Sequence, residues 1–340
     1  MTEKTSRARS AADDEFSFLA DQAASLGQPT PPARRLELPL ADGRVLSAVR
    51  LGSEPPRVVL LHGAGLNAHT WDRVAIALGV PVLSIDLPGH GDSSWREDAD
   101  YRPRTLAPDV IEAIETWAEA PVVLAGQSLG GLTAAAVAAA RPDLVASLKL
   151  VDITPSAAGG SGSTELRRFY EQTDFASREE ALERAMAFGL GGSRDDARRG
   201  VFLNTRVRED GRVEWKHHFA RLAQRTDAVA APLVDDTSWD DLAAVTAPVT
   251  LVRGERGYVD DAAADEFARR VPQAAIVSLD APHNVQEAAP VALAALLTSR
   301  LNTSASDPAE RVPFPTQTLR LPDTTAAASG AADDPTADRR

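Results

Sequence analysis

Residues 121–140 read PVVLAGQSLGGLTAAAVAAA, and this stretch decides the fold. A short apolar run, a glycine-rich turn and a long alanine-rich segment follow one another, which predicts a strand, a sharp turn and a helix. In the turn, Ser128 stands between Gly126 and Gly130, where glycine avoids a collision with neighbouring backbone. A serine raised at such a turn, with the Leu129 N–H beside it at a helix N-terminus, is typical of a catalytic nucleophile and its oxyanion site. The alternative is a glycine-rich turn with a purely structural role.

The composition is that of a globular protein with room for a large core. The chain has 340 residues, of which 44% are apolar and 25% charged, so it can form one large α/β domain with an insertion or two modest domains. The net charge of −13 disfavours nucleic acids and anionic membrane surfaces as partners, because both repel an acidic protein. Because the chain has no cysteine, disulfides, thiolate metal sites and cysteine nucleophiles are excluded.

No targeting or membrane segment is expected. Residues 1–16 lack the apolar region of a signal peptide, and no stretch reaches the roughly 18 apolar residues of a spanning helix. We therefore expect a cytoplasmic protein without membrane insertion. We expect a small-molecule substrate, no nucleic acid, no metal and no cofactor, while the oligomeric state stays open.

Apolar runs alternate with helical patterns along the chain. Runs of four or five residues are expected for strands that are buried on both faces of a parallel sheet. The alternation predicts an α/β fold with a doubly wound, mostly parallel sheet. A hairpin of residues 35–40 and 45–51 comes first, and the runs are Val58–Leu61, Pro81–Ile85, Val122–Ala125, Leu148–Val151, Val249–Val252 and Ala275–Leu279.

One long segment interrupts the alternation. From Ser156 to Thr246 no strand-like run occurs, and so long an insertion predicts a helical cap rather than a loop. Its helical patterns cover residues 164–171, 177–188 and 215–224. The predicted organisation is a disordered N-terminal segment at 1–32 with one short helix near 16–26, an α/β core at 33–155 and 246–301, a helical cap at 156–245, and a disordered C-terminal tail at 302–340.

Two further motifs accompany the serine. His62-Gly63-Ala64-Gly65 follows the run at 58–61, and DLPGHGDS occupies residues 86–93. In this order, followed by GQSLGG at 126–131, the motifs resemble those of the α/β-hydrolase superfamily. The resemblance covers roughly residues 35–300 and implies the fold named above.

The resemblance implies roles for several of these residues. The Ala64 and Leu129 N–H groups would form the oxyanion hole, and His62 would shape the loop through hydrogen bonds. Asp86 and His90 would have structural roles. Substrate contacts are expected from Gly65 and Gln127, which lie within these motifs, and from Asn67 just beyond the first one.

The resemblance also implies a catalytic histidine after the last strand. Members of the superfamily have the chain order nucleophile, acid, histidine, and three of the six histidines follow Ser128. His217 and His218 fall in the predicted cap, whereas His283 follows the last apolar run, where the family carries its base. The residue before it is Pro282 where the family usually has glycine, so this turn differs from the family pattern.

The acid departs from the commonest family pattern. That pattern places a carboxylate three residues after Gly254, but residue 257 is glycine. Haloalkane dehalogenases and some small esterases carry the acid after the preceding strand instead, and Asp152 stands there in this chain. Asp152 is therefore the predicted acid, with the histidine as the donor that a buried carboxylate needs. Asp260 and Asp261, which are expected to begin the next helix, remain alternatives.

Together these residues predict a serine hydrolase that cleaves a carboxylic ester or thioester of a small to medium apolar substrate through an acyl-enzyme. Haloalkane dehalogenases and epoxide hydrolases have aspartate at the turn, so Ser128 argues against both. Three alternatives stay open: hydrolysis of a carbon–carbon bond in a β-diketone-like substrate, cofactor-free perhydrolysis, and an inactive fold that serves as a binding protein. The aromatic residues of the predicted cap either line an acyl pocket or form the core of the cap.

Overall fold

The computed structural model describes residues 14–157, 168–222 and 237–298. The predicted tail at 302–340 lies outside these ranges. The strands found within them are β1 Ala33–Pro39, β2 Val45–Leu51, β3 Val58–Leu61, β4 Val82–Asp86, β5 Val122–Gln127, β6 Val145–Val151, β7 Asp174–Phe175, β8 Thr205–Val207, β9 Val213–Trp215, β10 Val249–Arg256 and β11 Ala275–Pro282.

Helices flank the strands along most of the described chain. None of these described helices is long and apolar enough to cross a membrane. They are α1 Leu19–Ser25, α2 Asp72–Leu78, α3 Pro103–Trp117, α4 Leu129–Ala140, α5 Arg178–Ala187, α6 Arg194–Asn204, α7 Phe219–Leu222, α8 Thr237–Ala244, α9 Asp261–Arg270, α10 Val285–Ala288 and α11 Pro290–Thr298.

Eight strands form one central sheet in the order β1-β2-β4-β3-β5-β6-β10-β11. The β1–β2 hairpin and the β2–β4 pair are antiparallel, whereas all other neighbours in the sheet are parallel. The predicted α/β fold with a mostly parallel sheet is therefore confirmed. The carboxyl ends of the parallel strands meet at one edge, which is where open α/β sheets place their functional side chains.

Alternating side chains of the strands fill two cores, one on each face of the sheet. Along β3, Val59 and Leu61 belong to one cluster, and Val58 and Leu60 belong to the other. The first cluster includes apolar residues of α3, α4, α8 and α9, and the second includes residues of α1, α2 and α11. Complete burial stabilises each such side chain by about 1.5–3 kcal/mol, so helices are needed on both faces.

The segment between β6 and α8 differs from its prediction. In residues 168–222, which we call the insertion, α5 and α6 pack with an antiparallel sheet of order β7-β9-β8. No strand was expected in this segment, so that expectation is corrected. The helix expected at 215–224 is present only as α7 at Phe219–Leu222, because residue 215 ends β9. The strands have only two or three residues, which is too short for an alternating pattern to show. The pattern at 164–171 lies mostly outside the described residues.

The N-terminal segment is ordered over much of the length that was predicted as disordered. The short helix expected near residues 16–26 is present as α1. Its Leu19 and Ala23 are buried in the second of the two cores, together with residues of α2 and α11. Phe18 packs edge-on against Phe202 of α6, with ring centroids 5.4 Å apart. The prediction of disorder for 1–32 is therefore corrected for residues 14–32, because apolar contacts hold them against both the core and the insertion.

A cluster of buried charged side chains also joins this segment to the edge of the sheet. Arg35 on β1 donates hydrogen bonds to the carboxylates of Glu15 and Asp86 at 2.9 and 2.7 Å. His69 lies with Nδ1 3.0 Å from Asp72 and Nε2 3.3 Å from Glu15. Burial lowers the pKa of His69, but the two carboxylates outweigh burial and raise it to about 9. The ring is therefore an imidazolium at neutral pH.

We expect the free energy of unfolding to fall as the pH rises from about 6.5 to 9. A group whose pKa is higher in the folded than in the unfolded state stabilises the fold below its unfolded pKa, and this contribution is lost through the folded pKa. The rise of the His69 pKa to about 9 corresponds to roughly 3 kcal/mol at most. Urea unfolding across this pH range measures the loss. His69→Gln should remove this part of the pH dependence, and an unchanged profile in that variant would contradict the buried imidazolium.

Candidate active site

Ser128 lies at the junction of β5 and α4, at the carboxyl edge of the sheet. Its φ of 53° and ψ of −123° fall where residues other than glycine are rare, which costs about 1–3 kcal/mol. The sheet holds this conformation, because the Ser128 N–H donates to the Val151 carbonyl at 3.1 Å. A side chain at Gly126 would overlap with the Gly130 carbonyl, which explains one glycine of the turn. The predicted strand, turn and helix are all present.

Asp152 follows β6 directly and is completely buried. Its Oδ2 accepts hydrogen bonds from His283 Nδ1–H and from the Tyr258 backbone N–H, both at 2.7 Å. Its Oδ1 accepts the Gly254 N–H at 2.9 Å. Three donors therefore satisfy a carboxylate that would otherwise be costly to bury. Because a carboxylate only accepts, the contact places a hydrogen on Nδ1 and leaves a lone pair on Nε2.

Gly257 occupies the place where the commonest family pattern carries the acid. A Cβ at this position would overlap with both carboxylate oxygens of Asp152. A side chain at 257 and the carboxylate of Asp152 therefore compete for the same space. The glycine at 257, where the family pattern has a carboxylate, therefore leaves the space that the Asp152 side chain needs.

The alternative acids have other partners. Asp260 is the N-cap of α9, and its Oδ1 accepts the Ala263 N–H at 2.8 Å. Asp261 has a side chain that is 92% exposed and lies 2.7 Å from Arg253. In the described part of the chain, neither carboxylate contacts the ring of His283.

The ring of His283 is held on three sides. It stacks on Tyr258, with centroids 3.7 Å apart and planes 12° from parallel. Its Nδ1 faces Asp152, and its Nε2 lies 2.8 Å from Nε2 of Gln127. No hydrogen bond between Ser128 Oγ and this ring is present among the described residues. The structure thus brings the predicted base and acid into contact, with the predicted nucleophile at the neighbouring strand end.

The loop after β3 is shaped by a buried histidine. His62 donates from Nδ1 to the Gly63 carbonyl at 2.8 Å, and its Nε2 accepts the Leu87 N–H at 2.9 Å. Burial lowers the pKa of His62, so the ring stays neutral. Ala64 follows in the loop, and its N–H makes no hydrogen bond within the described residues. Leu129 is the first residue of α4, where an N–H has no partner within the helix.

The DLPGHGDS segment has the structural role expected of it. Asp86 is completely buried and accepts the backbone N–H groups of Ala68 at 2.7 Å and Asp92 at 3.1 Å. The ring of His90 lies in the core, where its Nδ1 donates to the Pro88 carbonyl at 3.1 Å. Both side chains therefore hold backbone in place.

The three expected substrate contacts differ in their surroundings. Gly65 lies beneath the insertion, since a Cβ there would be 2.9 Å from the Tyr170 hydroxyl oxygen. Asn67 uses both polar ends within the protein, accepting a backbone N–H two residues on and donating to Asn204 of α6 at 2.7 Å. The amide of Gln127 contacts the ring of His283 rather than open space. Their roles toward a substrate stay predictions.

Sequence reasoning missed Tyr258 and Gly254, which support Asp152. Both act through backbone N–H groups, which every residue except proline carries, so no residue type signals the role. The stacking of Tyr258 on His283 also depends on the fold of the loop after β10, which no local pattern reveals. The one sign of this arrangement in the sequence is the glycine at 257, where the family pattern has a carboxylate.

The aromatic residues of the insertion form a core of their own. Phe169, Tyr170, Phe175 and Trp215 are buried together, so most of the expected pocket residues are core residues. A cavity of about 480 Å³ lies beside them, and its lining includes none of the predicted catalytic or oxyanion residues. Among the described residues, no group of three or more histidine, aspartate or glutamate side chains is arranged so that it could hold a metal ion.

Comparison with known proteins agrees with this fold. Residues 58–296 match the alpha/beta hydrolase family. Esterase Rv0045c from Mycobacterium tuberculosis is 38% identical over 85% of this chain and 96% of its own length, and a solved structure of that esterase has a TM-score of 0.70 over 85% and 99% of the two chains. Lipase LipV from the same organism is 28% identical over 73% of this chain and 94% of its own. The structure of E-2-(acetamidomethylene)succinate hydrolase, 25% identical, has a TM-score of 0.68 over 78% and 98% of the two chains.

A family match over most of the chain and a relative at this level of identity lead to one assignment: the chain belongs to the α/β-hydrolase family of enzymes.

Proposed function

We propose that the protein is a serine hydrolase that cleaves carboxylic esters or thioesters of small to medium apolar molecules. The observation that carries the proposal is the 2.7 Å hydrogen bond between His283 and the buried Asp152, beside a serine in a strained strand-to-helix turn. The similarity to an esterase at 38% identity supports the same reaction class. We also keep the cytoplasmic location as a prediction.

The chemistry would proceed in two steps. His283 takes the proton of Ser128 at Nε2 while Oγ attacks the acyl carbon, and Asp152 stabilises the imidazolium that forms. The N–H groups of Ala64 and Leu129 stabilise the oxyanion. The imidazolium then gives its proton to the leaving group, and a water activated by the same ring releases the acid.

The insertion would act as a cap over this site. Tyr170 stands above Gly65 in the oxyanion loop, and Asn204 is bonded to Asn67. The aromatic side chains of the insertion pack mainly against one another. A site that the insertion covers in this way favours a small to medium apolar substrate.

A fluorophosphonate probe should label the native protein at Ser128. Ser128→Ala should abolish labelling and lower ester turnover by roughly 10³-fold or more, since a triad residue is lost. Mass spectrometry of the labelled peptide identifies the site. Ser53→Ala, which removes an exposed serine hydroxyl, is the matched control and should label normally. Native protein that stays unlabelled beside a reactive esterase would favour the inactive binding protein.

The acid is tested by comparing two variants. Asp152→Asn should lower kcat by roughly 10²- to 10⁴-fold, because an amide favours the wrong histidine tautomer. The double variant Asp260→Asn, Asp261→Asn should stay within a few-fold of native, because both side chains are bonded elsewhere. Steady-state kinetics on one ester measures both. Loss of activity in the double variant alone would move the acid to the helix α9.

A substrate panel separates the reaction classes. Esters and thioesters of graded chain length should show the highest kcat/KM at short to medium acyl chains, with a fall for long ones that the cap cannot admit. β-Diketones and peracid formation from acetate and peroxide belong in the same panel. A kcat/KM for a β-diketone above that for every ester would replace the proposed activity with carbon–carbon bond hydrolysis.

A further inference from the structure

Gln127 makes a contact with the predicted base that the two-step chemistry does not use. The residue ends β5, immediately before the serine, and is 1% exposed. Its Nε2 lies 2.8 Å from Nε2 of His283 and 3.3 Å from the carbonyl oxygen of the same residue. Because Asp152 receives the hydrogen of Nδ1, both atoms facing the amide are acceptors. The carboxamide must therefore present its NH₂ group to the histidine.

The oxygen of the same amide is buried without a hydrogen bond, which costs free energy. Oε1 of Gln127 is buried and has no hydrogen-bond partner among the described residues. It lies against Gly63, where any Cβ would overlap with it. An unsatisfied buried acceptor destabilises a protein, so the contacts of the NH₂ group, and not those of the oxygen, hold this amide in its orientation.

The contact occupies the lone pair that the reaction needs. An imidazole with a hydrogen on Nδ1 has one acceptor nitrogen, Nε2, and its lone pair can accept only one hydrogen bond at a time. Ser128 Oγ has to donate to that nitrogen before its proton can move there. In the described residues, the amide of Gln127 has this position and the serine does not.

We propose that Gln127 is a positioning residue that holds the base in a resting state and competes with Ser128 for Nε2 of His283. The inference rests on the proposed function, in which this histidine is the base. Attack begins when the serine hydroxyl replaces the amide. Once the proton has moved from Oγ to Nε2, this nitrogen is a donor and no longer accepts from the amide, so Gln127 does not compete with the leaving group for that proton.

Two substitutions should act in opposite directions. Gln127→Met keeps the length of the side chain but removes the donor, so the second-order rate constant of fluorophosphonate labelling should rise roughly two- to tenfold, the range of one net hydrogen bond. Gln127→Glu places an acceptor there, which retains a proton on Nε2 and should lower the rate constant. Equal losses in both variants would show that the residue only fills space and would overturn the proposal.

Gln286→Met is the matched control. Gln286 is also a buried glutamine whose Oε1 has no partner among the described residues, but its Nε2 donates to Thr70 Oγ1 at 3.0 Å. The rate constant of this variant should equal that of native protein. A rise equal to that of Gln127→Met would assign the effect to general loosening of the fold and would overturn the proposal.

A measurement on native protein tests the contact without any reaction. The side-chain amide protons of Gln127 should show nuclear Overhauser contacts to the His283 ring and slow exchange with water. Their absence would overturn the proposal even if labelling is normal. Their presence in a protein that no probe labels would instead reject the proposed function and leave the contact standing, so the two failures are distinguishable.

Discussion

The buried carboxylate of Asp152 is the constraint on which the site depends. A charge without any exposure has to be paired, and its donors come from β10, from the loop that follows it and from the residue after β11. The carboxylate thus ties together the ends of three neighbouring strands. It also explains Gly257, because the space that a side chain would need there is taken by the carboxylate itself. The acid at 152 and the glycine at 257 are two consequences of one packing arrangement.

Backbone strain follows from the same arrangement. Ser128 and Asp152 both have positive φ values, 53° and 50°, at the ends of adjacent strands. Each is held by a ladder-like hydrogen bond to the next strand, from Ser128 N–H to the Val151 carbonyl and from Asp152 N–H to the Val252 carbonyl at 2.7 Å. A sheet buried on both faces resists deformation, so it can maintain two strained residues at its edge. The position of the site is therefore a property of the whole sheet.

The sequence predicts what short-range patterns encode. Apolar runs revealed the strands of the central sheet, and the helix predicted at 129–140 is found there as α4. Contact between Asp152 and His283 could be predicted only because a family pattern links distant positions. Strands β7 to β9 are too short to show a period, and α1 is held by contacts with distant elements such as Phe202. The backbone donors to Asp152 were not predicted, and neither was the contact between the Gln127 amide and His283, because neither role follows from residue type or spacing.

The insertion and the core both contact the loop at residues 62–65, which we propose as the oxyanion loop, and this has a consequence for specificity. The loop is shaped from below by His62, whose two hydrogen bonds lie within the core, and it is covered from above by Tyr170. The core can therefore stay constant while the surface above the loop changes with the insertion, whose aromatic residues form a separate small core. A substitution that repacks that small core would move Tyr170 without disturbing the bond between His283 and Asp152. With the proposed function, the catalytic residues would belong to the sheet, and the choice of substrate would belong to the insertion.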